Sequence, residues 1–155
     1  MPRKKITEFD LETFFPYQVR IFYRAVSSSV SKVYISRYGL TVYEWRAMSV
    51  LGAYQPMTAS DIVSRSSIDK VQVSRAIKGL TKAGLLARQI DRDDRRRSML
   101  ELTTKGEEML SELVPLVREV EEQMLSGISN KDRVQLKKLM EKVRNNTCAD
   151  TAHSQ

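Results

Sequence analysis

The sequence has almost none of the residues that build metal sites and disulfides. Its 155 residues include one cysteine, Cys148, and one histidine, His153. A single cysteine excludes an internal disulfide, and one histidine in a polar tail argues against a catalytic triad or a multi-histidine metal site. A Gly-rich phosphate loop and a nucleophile–base pair are also missing. The sequence therefore predicts a protein that is not an enzyme and that carries no metal or cofactor.

Long apolar runs are also missing. No stretch approaches the ~18 apolar residues of a membrane span. The basic start, from Met1 to Lys5, is not followed by an apolar signal core, so we expect a cytoplasmic protein without a membrane partner. Hydrophobic residues make up 41% of the chain. That is enough for a modest core, to which dimerisation would add burial.

Positive charge is abundant but unevenly spread. The formal net charge is +7, which favours an anionic partner, with nucleic acid ahead of an anionic membrane. Residues 65–97 hold ten basic and four acidic side chains, whereas residues 104–126 hold two basic and six acidic ones. This segregation predicts a binding face in the first segment and a different task for the acidic second segment.

Capping motifs mark the ends of the predicted helices. Gly39 can end the first helix, since glycine accepts the left-handed cap conformation. Spacings typical of a capping box begin at Thr41, Thr58, Asp69, Thr104 and Ser129. Together with the apolar periodicity, they predict helices over residues 16–37, 42–54, 59–65, 70–83, from 103 or 104 onward, and 131–144. Pro115 should kink the fifth helix.

The period changes after the fourth helix. Short apolar runs at residues 85–90 and 98–102 flank a charged block at 91–97, which predicts a β-hairpin with a polar tip. Helix, short helix, turn, basic helix and hairpin follow the order of a winged helix-turn-helix. The predicted fold class is therefore mainly α with a small β-hairpin wing.

The fourth helix and the hairpin tip carry the candidate DNA contacts. Val73, Ile77 and Leu80 recur on one side of the helix, and the other side offers Lys70, Val71, Gln72, Ser74, Arg75 and Lys78. Gln and Arg can bond to base edges, and Val can contact a thymine methyl. The alternative is that this charged side is an ordinary solvent-exposed helix face. Consecutive arginines at the tip repel each other unless an anion or the neighbouring aspartates neutralise them.

These features resemble the MarR family of transcriptional regulators. The matching stretches are 40–51, 69–80, 83–85, 91–97 and the Leu-Thr-Thr-Lys-Gly run at 102–106. The resemblance implies that Arg96 enters the minor groove and that Asp94 orients it, with Arg95 and Arg97 beside them. It also implies recognition-helix contacts from Lys70, Gln72, Ser74, Arg75 and Lys78. Ser67 or Ser66 would contact a phosphate just before the helix.

The resemblance also implies a domain division and a dimer. Residues 40–103 would form the winged helix-turn-helix lobe, while 1–39 and 104–146 would form a helical dimerisation lobe, leaving 147–155 as a mobile tail. A homodimer would place two recognition helices ~34 Å apart on double-stranded DNA and demand a pseudopalindrome. The alternative is an architectural nucleic-acid-binding protein whose binding does not depend on an effector.

A small effector is implied as well, because members of this family commonly bind a small anionic or phenolic molecule between the two lobes, often an aromatic carboxylate. Arginines and aromatic side chains that suit such a ligand are Tyr17, Arg20, Tyr23, Arg24, Tyr38, Trp45, Arg46 and Met48. The stretch from Thr41 to Leu51 is similar to members that control aromatic-compound degradation, some of which answer acyl-CoA thioesters. The alternative is that Trp45 belongs to the core and that Arg46 forms an ion pair with the acidic fifth helix.

Overall fold

The structure, a computed structural model, describes residues 9–90 and 98–149. Within them it contains six helices and one two-stranded antiparallel sheet, so the predicted fold class is confirmed. The elements are α1 Phe15–Tyr38, α2 Val42–Tyr54, α3 Ala59–Ser66, α4 Lys70–Lys82, β1 Leu86–Ile90, β2 Ser98–Leu102, α5 Thr104–Met124 and α6 Asn130–Ala149. The chain divides into two units, one ending at Val120 and the other beginning at Glu121.

Local capping explains why the predicted helix boundaries agree closely with the observed ones. The side chain of Thr41 accepts a hydrogen bond from the backbone N–H of Glu44, and the Glu44 carboxylate accepts from the N–H of Thr41. Thr58 and Asp61 form the same reciprocal pair at α3. Gly39 ends α1 in the left-handed conformation, with φ of 65°. These bonds satisfy backbone groups that a helix terminus leaves unpaired.

The start of α5 differs from the prediction. Thr103, rather than Thr104, caps this helix, because its Oγ1 accepts the N–H of Gly106 at 3.1 Å. Thr103 Oγ1 also donates to the carbonyl of Gly84 at 2.7 Å, which ties the cap to the chain just after α4. The Glu107 carboxylate accepts from Gln55 instead of closing a capping box. Tertiary partners at both ends of the motif therefore shift the cap by one residue.

The core of the first unit gathers around α2. Met48 and Leu51 are fully buried there, against apolar side chains from α3, α4 and the sheet. In the sheet, Leu86 pairs with Leu102, and the other edge of β2 carries a bridge between Leu100 and Met57. The hairpin is therefore held on both sides at its root.

Two helices keep apolar surface outside this core. In α1 only the C-terminal half packs inward, where Tyr34 is buried, while Val19, Phe22 and Tyr23 in the N-terminal half stay exposed. In the second unit, Arg133 fastens the turn before α6 by pairing with Glu122 at 2.8 Å and by donating to the carbonyls of Leu125 and Ile128. The apolar side chains of α6 are exposed as well: Val134, Leu136, Leu139, Met140 and Val143.

The glycine of the Leu-Thr-Thr-Lys-Gly run is required by close packing. A Cβ at Gly106 would overlap the backbone carbonyl of Leu85, whereas a Cβ at Gly52 would meet only the end of the Leu110 side chain. We expect Gly106→Ala to lower the free energy of unfolding by about 1–3 kcal/mol, because a backbone neighbour cannot move aside cheaply. Gly52→Ala is the matched control and should cost less, since Leu110 can change rotamer. Urea titration followed by circular dichroism measures both, and an equal loss would contradict this account.

Candidate nucleic-acid interface

Helix α4 separates a buried side from an exposed side as the sequence predicts. Val73, Ile77 and Leu80 are all buried. The opposite side exposes Lys70, Val71, Ser74, Arg75 and Lys78, with Gln72 half-buried beside them. Val71 is 59% exposed, so its methyl groups are accessible to a partner. Cations, hydroxyl, amide and a methyl-bearing surface together match what the edges of base pairs present in a major groove.

The N-terminus of α4 is open to solvent. Asp69 caps it by accepting the backbone N–H of Gln72 at 2.9 Å. Ser67 is exposed and stands in the left-handed conformation just before it, with φ of 55°. Ser66 is buried, and its hydroxyl has no hydrogen-bond partner among residues 9–90 and 98–149. Of the two serines predicted to contact a phosphate, only Ser67 lies at the surface.

The rear of α4 lies very close to α2. A Cβ at Gly79 would overlap the carboxylate of Glu44, the same group that caps α2. Ala47 and Ala76 are both buried in this region. Small residues at a helix contact allow the backbones to approach. The buried side of α4 is therefore packed closely against α2.

The hairpin carries the second group of predicted contacts. Its strands pair from Leu86 and Leu102 at the root to Ile90 and Ser98, and Arg88 on β1 is exposed. Asp94, Arg95, Arg96 and Arg97 lie outside the described residues, so their role stays a prediction.

One residue at the root of the hairpin was missed from the sequence. Gln55 follows α2, and its side-chain Oε1 accepts the N–H of Leu102 at 2.8 Å while its Nε2 donates to Glu107 at 2.9 Å. Both partners are about fifty positions away along the chain, so no local pattern indicates the contact. A polar side chain just before Pro56, where the chain leaves a helix, is the one weak signal.

The predicted effector residues do not all come together. Trp45 is half-buried and stacks on Tyr34 with ring centroids 5.6 Å apart. Arg46 donates to the Tyr23 hydroxyl at 3.5 Å, and this bond lowers the pKa of Tyr23. Arg20 and Arg24 are exposed, and Tyr17 is half-buried. The structure thus places Tyr23 beside the Arg46 guanidinium and stacks Tyr34 on Trp45.

The link to the acidic fifth helix differs from the alternative that the sequence offered. Tyr38, rather than Arg46, reaches α5, and its hydroxyl donates to the Glu112 carboxylate at 2.9 Å. This hydrogen bond raises the pKa of Tyr38, because ionising the phenol would set it against a carboxylate. Tyr38 therefore has a structural contact that competes with its predicted part in an effector pocket.

A groove of about 400 Å³ opens beside α5, at the end of α2. Its polar groups come from Gln55, Glu107 and Ser111, and its apolar wall includes Leu102, Leu110 and Val114. None of the eight side chains predicted for the effector lines this groove: Tyr17, Arg20, Tyr23, Arg24, Tyr38, Trp45, Arg46 and Met48.

Comparison with known proteins agrees with the geometry. Residues 38–97 match the sequence profile of the MarR family, and this stretch runs from the end of α1 to the residue before β2. The winged-helix segment of this chain belongs to the MarR family of transcriptional regulators. The HTH-type transcriptional repressor NicR of Pseudomonas putida is 22% identical to this chain over 104 residues, which are 67% of this chain and 66% of the relative.

Solved structures share the fold over most of the chain. BpsR of Bordetella bronchiseptica, whose DNA binding is regulated by 6-hydroxynicotinic acid, superposes with a TM-score of 0.80 at 22% identity, covering 89% of this chain and 98% of that one. MepR of S. aureus, solved in complex with DNA, superposes with a TM-score of 0.78 at 21% identity, covering 86% of this chain and 98% of that one.

None of the helices within residues 9–90 and 98–149 combines the length and apolarity needed to cross a membrane.

Proposed function

We propose that this chain is a dimeric, sequence-specific transcriptional repressor of the MarR type, which a small effector releases from a pseudopalindromic operator. It acts on double-stranded DNA in the cytoplasm. The observation that carries the proposal is the exposed edge of α4, where Lys70, Ser74 and Arg75 surround an exposed Val71. The repressor NicR and the DNA complex of MepR are similar proteins that support it.

Helix α4 and the tip of the hairpin would contact different parts of the DNA. Gln72, Ser74 and Arg75 would contact base edges in the major groove, while Lys70, Lys78 and Ser67 would contact phosphates nearby. Arg96, oriented by Asp94, would enter the minor groove, with Arg95 and Arg97 along the adjacent backbone. A narrow minor groove has an enhanced negative potential that attracts a guanidinium.

Selection of bound fragments from random double-stranded DNA, followed by footprinting, tests the proposal. We expect a protected pseudopalindrome with half-sites about 10 base pairs apart, centre to centre. Arg75→Ala should relax the preference at one base position in each half-site, whereas Lys82→Ala, at the far end of the same helix, should leave it unchanged. Uniform, salt-dependent coating of any DNA would instead support the architectural alternative.

The effector that we propose is an aromatic carboxylate or its CoA thioester. Arg46, which is hydrogen-bonded to Tyr23, offers a guanidinium, and the stacked Tyr34 and Trp45 offer ring faces. A guanidinium and ring faces suit such a ligand. BpsR, whose DNA binding is regulated by 6-hydroxynicotinic acid, is a structural neighbour with an aromatic acid as its regulator. Titrating aromatic acids and their CoA thioesters against the operator complex tests this part, and release by none of them would contradict it.

A further inference from the structure

The start of α5 is linked by hydrogen bonds to the chain just after α4 and to the hairpin, and α4 and the hairpin are the two elements proposed to contact DNA. Thr103 donates to the carbonyl of Gly84 just after α4, and the Lys105 ammonium donates to the carbonyl of Ala83 at 3.1 Å. On the other side, Glu107 is linked through the Gln55 side chain to Leu102, the last residue of β2. The first link uses the backbone after the recognition helix, and the second depends on one side chain.

The Gln55 side chain adds a hydrogen bond at the edge of β2 that does not face β1. The backbone of Met57 exchanges two hydrogen bonds with Leu100, at 2.8 and 3.2 Å. Two residues further along β2, the Gln55 carboxamide takes the place that a third strand would fill and accepts the N–H of Leu102. Leu102 is buried, so without this acceptor its N–H would lose a bond that water does not readily replace.

The chemistry of this link requires a side chain that both donates and accepts a hydrogen bond, and the Gln55 carboxamide does both. The N–H of Leu102 can only donate and the Glu107 carboxylate can only accept, so the residue between them must present one acceptor and one donor. Glutamate at position 55 would keep the first bond but oppose one carboxylate with another. Leucine at position 55 would lose both bonds.

We propose that Gln55 is a positioning residue that couples the start of α5 to the root of the hairpin, and so sets how the hairpin meets DNA. This inference rests on the proposed function for its consequence at the operator. β2 is five residues long, or about 17 Å at the usual rise per strand residue, so a tilt of about 4° at Leu102 moves its far end by about 1 Å. A displacement of that size disturbs a hydrogen-bonded contact.

A reciprocal exchange of the two side chains tests the coupling. Gln55→Glu should weaken operator binding by about tenfold, the effect of losing one hydrogen bond to a charged group. Glu107→Gln alone should retain affinity, because its carbonyl still accepts from Gln55. The double variant Gln55→Glu/Glu107→Gln restores a donor opposite an acceptor and should bind within about twofold of wild type. A double variant as weak as Gln55→Glu would overturn the proposal.

Two further readouts separate positioning from general damage. In the free protein, Gln55→Leu should speed hydrogen exchange at the Leu102 amide by about tenfold and leave the Leu100 amide unchanged. On the operator, Gln55→Glu should lose hydroxyl-radical protection of the minor groove while keeping protection of guanine N7 in the major groove. Equal fading of both footprints, or unaltered exchange at Leu102, would refute the coupling. Failure of the wild type to select any operator would instead contradict the proposed function, and the exchange result would remain decisive for the Gln55 link.

Discussion

The Arg96→Ala variant is expected to bind operator DNA about five- to 150-fold more weakly than wild type, while its free energy of unfolding stays the same. This range corresponds to the ~1–3 kcal/mol of a good contact to a base edge. Stability should not change, because the core of the first unit is formed by residues of α1 to α5 and the paired strands. Fluorescence anisotropy at one fixed salt concentration measures the affinity, and urea unfolding measures the stability.

Arg92→Ala is the matched control for this variant. It removes the same charge from the same seven-residue block, but the MarR resemblance assigns no contact to it. If affinity depends only on the net charge of the block, both variants should weaken binding equally and both should reduce its salt dependence. Equal losses would therefore contradict a specific role for Arg96, and a larger loss for Arg96→Ala would support it.

The helix boundaries could be predicted because their causes are local. The capping box of Thr41 and Glu44 spans four residues, and the observed α2 matches the predicted one. Where long-range partners intervene, the prediction is off: Thr103 caps α5 because Gly84, nineteen residues earlier, accepts its hydroxyl. The last helix continues to Ala149, beyond the predicted end at residue 144.

The candidate DNA interface was predictable to a similar extent, and for the same reason. The spacing of Val73, Ile77 and Leu80 decides which side of α4 is buried, so the exposed side follows from the sequence alone. Gln55 could not be found this way, because its partners are 47 and 52 positions away. Sequence alone could not decide the partner of Arg46 either, since Tyr23 approaches it only through the packing of α1 against α2.

Helix α6 carries the argument for a dimer. Leu136, Leu139, Met140 and Val143 recur at steps of three and four residues and share one side of the helix, yet each is at least 39% exposed. An exposed apolar stripe of this kind is typical of a protein–protein contact. In a twofold dimer the same stripe is used by both copies. We therefore expect α6 to lie in the interface of the proposed homodimer.

Leu139→Lys should convert the dimer into monomers at micromolar concentration. Burying one leucine contributes about 1.5–3 kcal/mol, and a twofold dimer buries Leu139 of both copies. Losing both contributions should raise the dissociation constant by about two to four orders of magnitude. Val134→Lys is the control, since Val134 is 55% exposed and lies about 140° around the helix from Leu139. Light scattering measures the mass, and circular dichroism checks that the helices remain. Because each copy of a dimer contacts one half-site, Leu139→Lys should also lose most operator affinity. If the Leu139→Lys dimer stays intact, or if both variants dissociate equally, α6 does not form the interface.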